Sequence, residues 1–343
     1  MRKVTKIKII SAVSLVVIIA AYTGAWFYAS HKLQQNITHS ITKLKEKGYH
    51  VEFSGLKVGG FPFGIRAKLQ NLKISRIGYF KTWVDGEVKF STTIFRPGRI
   101  RSVAGGVHHV EVDLDGKAIA LTGHGFELLN AAFDGSEAGI KYKHIDVAMN
   151  NEPLFQADNA MVKLRKEGPE TNTIEVKAQT WDLKVQMQQI KSPLLNVKSL
   201  GDTIKSVNFD AKLIGTMEGL TLPERLGNWS KNGGTVEMAK IAVEWGDLNI
   251  DANGTFSLDE TLQPLAALSA KISGLDALLK TMVAEKIIDK NLAKAVKTGI
   301  EFFSVQDDDG SGHYHNVISV SLQNGALAVG PVTLLKVPKL KIK

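Results

Sequence analysis

A mainly β fold, with one large curved antiparallel sheet of half-barrel or sandwich-like form, is predicted by three observations. Apolar side chains alternate with a two-residue period along most of the chain. Glycine outnumbers proline by 31 to 9, as suits many tight strand connections, and helical periodicity is confined to the two ends of the sequence. An N-terminal transmembrane helix and a C-terminal amphipathic helix packed on the sheet complete the expected architecture.

The chain opens with a basic tail, residues 1–8, carrying Arg2, Lys3, Lys6 and Lys8. Residues 9–29 then run without a charge. At about 1.5 Å of rise per residue such a stretch spans a hydrocarbon core. Ile9, Leu15, Val17 and Ile19 would face lipid, while Trp26 and Tyr28 at the outer end are rings that favour the membrane–water interface. Positive charge on the inner flank predicts a single-pass inner-membrane protein with its N-terminus cytoplasmic and its body periplasmic. The length and aromatic end of the segment favour a retained anchor over a cleaved signal peptide. Residues 30–48 continue as a helical stalk, with Leu33, Ile37, Ile41 and Leu44 on one face and Gly48 as its stop.

From residue 49 to 343 the period is that of strands. Tyr49, Val51 and Phe53 alternate, as do Phe61, Phe63, Ile65, Ala67 and Leu69, with the glycine-flanked Pro62 suiting a bend or an edge. Comparable runs follow at Val110–Leu114, Ile174–Ala178, Phe209–Leu213, Val236–Met238, Ile241–Trp245 and Ile318–Leu322. Around Thr180 the parity switches to Trp181, Leu183, Val185 and Met187, which a bulge would produce. Asp115-Gly116, Asn253-Gly254 and Asn324-Gly325 are expected hairpin turns. Residues 275–300 place Leu275, Leu279, Met282, Val283, Leu292 and Val296 at helical spacing, as one helix or a helical hairpin broken near Asp289.

Three stretches resemble the bacterial family known as domain of unknown function 2125, found mainly in alphaproteobacteria. The first leads from the anchor and stalk to Phe53-Ser54-Gly55 and Gly60-Phe61-Pro62-Phe63. The second is Asn253-Gly254-Thr255-Phe256-Ser257-Leu258 with Leu262-Gln263-Pro264 and Ala270-Lys271-Ile272-Ser273-Gly274-Leu275. The third runs from Val320 through Asn324-Gly325 to Gly330-Pro331. The resemblance implies a membrane-anchored periplasmic protein and no chemistry. More remotely, the architecture is similar to AsmA-like envelope proteins, which are associated with lipid movement.

Candidate chemistry is sparse. The chain has no cysteine, so disulfides, thiolate metal sites and thiol nucleophiles are excluded. Asp307-Asp308-Asp309-Gly310 fails the calcium-loop template at both ends and is read as a solvated loop. His108-His109 would point to opposite faces of a strand, and His313-x-His315 to one face, but neither has a third ligand at motif spacing, so no metal and no cofactor are expected. No nucleophile elbow, paired metal-ligand motif, phosphate loop or dinucleotide fingerprint occurs, no catalytic residue is assigned, and the basic residues lack the interleaved aromatics of a nucleic-acid surface.

The expected function is non-enzymatic: binding of a lipid or other apolar ligand, or of an envelope partner, near the inner membrane. A partly open apolar trough is expected near Phe61, Phe63, Phe209, Trp245 and Phe256. The alternative is a periplasmic hydrolase with an active site assembled from distant residues.

Overall fold

The computed structural model describes residues 2–343 apart from 78–79, 97, 115–116, 133–134, 168–178, 194, 196–199, 220–221, 285–287, 302–303, 307–313, 331 and 337–343. The chain is mainly β with antiparallel pairing throughout the described ladders, and it divides into two compact units, Met1–Lys141 and Tyr142–Lys343. The expected strand body therefore falls into two parts, and the first of them includes the N-terminal helix.

The first unit begins with a continuous helix, α1 (Arg2–Glu46), which joins the apolar segment to the stalk without a break. Gly48, at φ 80°, ends it, and the Tyr49 N–H returns to the Leu44 carbonyl at 3.0 Å. Among the described residues nine strands follow: β1 (His50–Gly59), β2 (Ile65–Arg76), β3 (Phe80–Asp85), β4 (Glu87–Thr92), β5 (Arg99–Ala104), β6 (Val107–Leu114), β7 (Lys117–His124), β8 (Glu127–Ala132) and β9 (Glu137–Lys141).

Their register shows a simple meander. β3 and β4 lie end to end along β2, with the Asn71 N–H bonded to the Gly86 carbonyl at the gap between them. β6 and β5 lie end to end along β3 and β4, and β7 and β8 along those in turn. β2 runs on through Asn71 (φ 52°), and the three long strands beside it are each broken once, at Gly86 (φ 125°), the Gly105-Gly106 pair and Gly125 (φ 66°). The breaks fall next to one another, so together they form a crease across the sheet. Left-handed or close-approach backbone at each point favours glycine or asparagine.

The buried face of β2, Ile65, Ala67 and Leu69, alternates as expected, at 0%, 0% and 2% exposure. On β1 the alternation ends after Val51, because two register shifts and Gly55 (φ 62°) turn Phe53 outward. Phe61 and Phe63 precede β2 in a turn instead of continuing its alternation. Trp26, Ala29, Leu33 and Ile37 of α1 pack with Ile65, Ala67, Ile100 and Ala131, so the helix forms one wall of the core.

The second unit contains β10 (His144–Met149), β11 (Glu152–Lys166), β12 (Thr180–Lys191), β13 (Thr203–Ile214), α2 (Leu222–Lys231), β14 (Thr235–Trp245), β15 (Leu248–Leu258), β16 (Pro264–Ser273), α3 (Leu275–Ala284), α4 (Lys290–Glu301), β17 (Ser304–Gln306), β18 (Tyr314–Gln323), β19 (Ala326–Val329) and β20 (Val332–Lys336). Strands β10 to β16 pair in sequence order, and β18 follows β16.

The two apolar runs at Val236 and Ile241 are one strand, β14, whose parity changes at a register shift between Met238 and Ile241. Asn324-Gly325 is the expected hairpin, with both residues at positive φ. Asn253-Gly254 is not a turn: it lies inside β15, where a Cβ on Gly254 would stand 2.1 Å from the Ala267 carbonyl oxygen. Here glycine serves close strand approach.

Helices α3 and α4 pack on each other as a helical hairpin. Asp289 caps α4 by accepting the Asn291 and Leu292 N–H groups at 2.8 Å each, and Leu279, Ile288 and Val296 pack with Ile318 of the sheet. Helix α2 has no counterpart in the strand-only reading of this part of the sequence. Its signals were Pro223 in the first turn, Glu224 beside it, Lys231 in the last turn and Gly233 beyond the end. Trp229 anchors it at 2% exposure and donates its Nε1–H to the Ile214 carbonyl at 2.8 Å.

Candidate functional site

Helix α1 and the creased sheet flank a partly open cavity of about 370 Å³ within the first unit. That volume lies in the range of small-molecule pockets. Ile37, Ile41 and Leu44 supply the helical wall. Leu69 and Leu72 lie on either side of Asn71 on β2, and Val84 and Val88 flank Gly86, so the crease bends the sheet around the space. Phe90, Ile100, Phe126 and Leu128 extend the apolar lining.

Four polar side chains, Ser40, Thr82, Ser102 and His108, interrupt it. Ser102 is 1% exposed, and its Oγ has no hydrogen-bond partner. Leaving a buried hydroxyl unmet costs about 1–3 kcal/mol, so this atom is a cost built into the wall behind the cavity surface. Thr82 and His108 face each other from β3 and β6. Thr82 Oγ1 lies 2.8 Å from the His109 carbonyl, to which it donates, and 2.6 Å from His108 Nε2. A hydroxyl has one proton, so Nε2–H of His108 must be the donor in the second bond.

Burial, with the neighbouring His109 adding to it, pushes His108 down to about 4, and the ring is neutral at ordinary pH. It packs against Phe126 at a centroid distance of 4.5 Å. His109 points to the other face, as strand alternation requires, where it stacks on Trp83 at 4.6 Å and meets Asp85 at 2.9 Å.

The family model described as an uncharacterised protein conserved in bacteria, DUF2125, matches residues 26–338, nearly the whole chain. The chain belongs to the DUF2125 family. No curated protein and no solved structure matches it, and the expected similarity to AsmA-like proteins is not shown.

In this DUF2125 chain the five aromatics expected to line a trough are dispersed. Phe61 and Phe63 belong to the first unit, 51% and 94% exposed. Phe209, Trp245 and Phe256 are half-buried in β13, β14 and β15 of the second, at different heights: Phe209 opposes Ile241, Trp245 opposes Leu248 and Phe256 opposes Val236. The Trp245 ring donates to the Gly201 carbonyl at 3.0 Å. None of the five lines the cavity. The stalk face did foreshadow it, since Ile37, Ile41 and Leu44 form one of its walls; the crease opposite left only its glycines as a signal.

Of the expected membrane-facing residues, Leu15, Val17, Ile19 and Tyr28 are exposed, at 55–70%, while the side chain of Ile9 lies outside the described set. Trp26 departs from expectation. It is 6% exposed, packs in the core and donates Nε1–H to the Gly64 carbonyl at 2.7 Å. Among the described residues α1 is the one helix long and apolar enough to cross a membrane. The Asp307–Asp309 loop and His313 lie outside the described residues.

Proposed function

We propose that this DUF2125 protein is a non-enzymatic, single-pass inner-membrane protein whose periplasmic first unit binds the apolar chain of a lipid between α1 and the creased sheet. The observation that carries the reading is the apolar cavity between α1 and the sheet. An acyl chain gains roughly 0.8 kcal/mol for each methylene buried in such a lining.

The apolar length of α1 and the positive charges before it support the anchored topology. A hydrolase reading gains little from the one hydroxyl–imidazole pair here. The Thr82 proton is engaged by the His109 carbonyl, and a histidine pushed down to about 4 is a weak base.

The test is mass spectrometry of lipid retained by the full chain after detergent extraction, in wild type and in the cavity-filling variant Val84→Phe. Expected is an acyl lipid in near one-to-one amount with the wild type and severalfold less with the variant, at equal resistance to protease. Absence of lipid from both, or equal retention by both, would remove the cavity from the function. A reporter active only outside the cytoplasm, fused after Lys343, tests the topology separately.

A further inference from the structure

The turn at residues 60–64 is fastened to α1 well inside its apolar segment. Tyr22 donates its hydroxyl to the Pro62 carbonyl, Trp26 donates to the Gly64 carbonyl at 2.7 Å, and Phe61 packs on Trp26 and Phe27 at 5.3 and 6.5 Å. From Ile9 to Tyr22 a helix rises only about 20 Å, whereas a hydrocarbon core is about 30 Å thick. A helix that crosses with Lys8 at the inner face therefore carries this turn down to the outer boundary of the bilayer.

The side chains at that end match such a position. Phe27, Phe61 and Phe63 are 62%, 51% and 94% exposed, and Phe95 is 92% exposed on the turn that joins β4 to β5 at the same end of the sheet, where Thr92 pairs with Ile65. Between Phe63 and that turn lies a groove of about 390 Å³ lined by Arg66, Arg96, Arg99 and Arg101. Arg99 and Arg101 pair with Glu137 and Glu127, and no carboxylate among the described residues pairs with Arg66 or Arg96.

We infer that this end of the first unit is a membrane-seating surface: Phe61, Phe63 and Phe95 enter the interface, and the Arg66–Arg96 groove receives the phosphates of anionic phospholipid headgroups. Exposed aromatics beside arginine suit the headgroup layer, where rings bury their apolar body and guanidinium grips phosphate oxygens in pairs. Ile100 lines both this groove and the apolar cavity, so the two adjoin. The inference rests on α1 being a membrane anchor and is independent of what the cavity holds.

Because the chain has no cysteine, single nitroxide labels can be placed without background. Full-length Phe63→Cys, Phe95→Cys, Val17→Cys and Ile77→Cys proteins are labelled in nanodiscs of mixed phosphatidylcholine and phosphatidylglycerol. Ile77 is 85% exposed at the opposite end of β2. Labels at positions 63, 95 and 17 should favour collision with oxygen over a water-soluble nickel chelate, and position 77 the reverse. In addition, the Arg66→Gln/Arg96→Gln protein should lose a severalfold enrichment of phosphatidylglycerol over phosphatidylcholine in the lipids it retains. Aqueous labels at 63 and 95 with a buried label at 17 would overturn the seating surface alone. An aqueous label at 17 would overturn the anchor, and the seating surface with it. Buried labels with unchanged lipid preference in the arginine variant would overturn the headgroup site.

Discussion

Gly106 sits so close to the Asp85 carbonyl that a Cβ at position 106 would stand 1.6 Å from its oxygen. This contact joins two adjacent strands at the crease, and it leaves no room for any residue but glycine. Gly106→Ala should therefore destabilise the first unit by about 1–3 kcal/mol, through backbone displacement at the bend. Gly98→Ala is the control, since a Cβ there meets nothing within 4 Å. Denaturant melts of the two variants check the expectation, and equal midpoints would show that the crease tolerates opening.

His108 makes stability depend on pH with a definite sign. The unfolded side chain takes up a proton as pH falls through about 6.5, but the folded one waits until about 4. The unfolded state thus binds more protons across this window, and stability should fall as pH drops from 6.5 to 4, by roughly 2–3 kcal/mol for this group. In His108→Asn the slope over that window should flatten, which denaturation at a series of pH values will read.

His144 should behave in the opposite sense. Its hydrogen bond to Asp158 at 2.6 Å raises it above the usual imidazole range, with Asp146 at 3.4 Å assisting. Its contribution is complete below the unfolded value and fades as pH rises through the folded one. Asp158→Asn should lower the His144 titration midpoint toward the ordinary range, as followed by its imidazole resonances. No change in midpoint would deny the pairing.

Ser102→Ala measures the cost built into the cavity wall. Without ligand, the variant should be more stable by about 1 kcal/mol, because an unmet hydroxyl has been removed at little cost in packing. Thermal melts of delipidated protein read the difference.

Much of the fold was legible along the chain because period and parity are local properties. The stalk face from Leu33 to Leu44, the buried set Ile65, Ala67 and Leu69, the hairpin at Asn324-Gly325 and the break at Asp289 each follow from a few consecutive residues. The cavity was not legible in the same way. Gly86, Gly105-Gly106 and Gly125 are ordinary turn signals when taken singly, and only the pairing register sets them side by side. Aromatic size misdirected the search for the lining, since Phe63 serves a turn and Trp245 a carbonyl contact, whereas the wall is built largely of aliphatic residues.

Helix α1 passes from its apolar segment to Leu33 and Ile37 without a hinge, glycine or proline in between from residue 25 onward. If α1 crosses a bilayer as proposed, its apolar segment and the cavity wall are one rigid lever. Hydrophobic mismatch is relieved partly by helix tilt. A tilt that the sheet did not follow would shear Trp26 and Ala29 from Ile65 and Ala67, so the unit must lean with its helix. Membrane thickness would thus be felt mechanically at the cavity wall, and a soluble fragment starting at residue 30 would lack two buried side chains of that wall's own core.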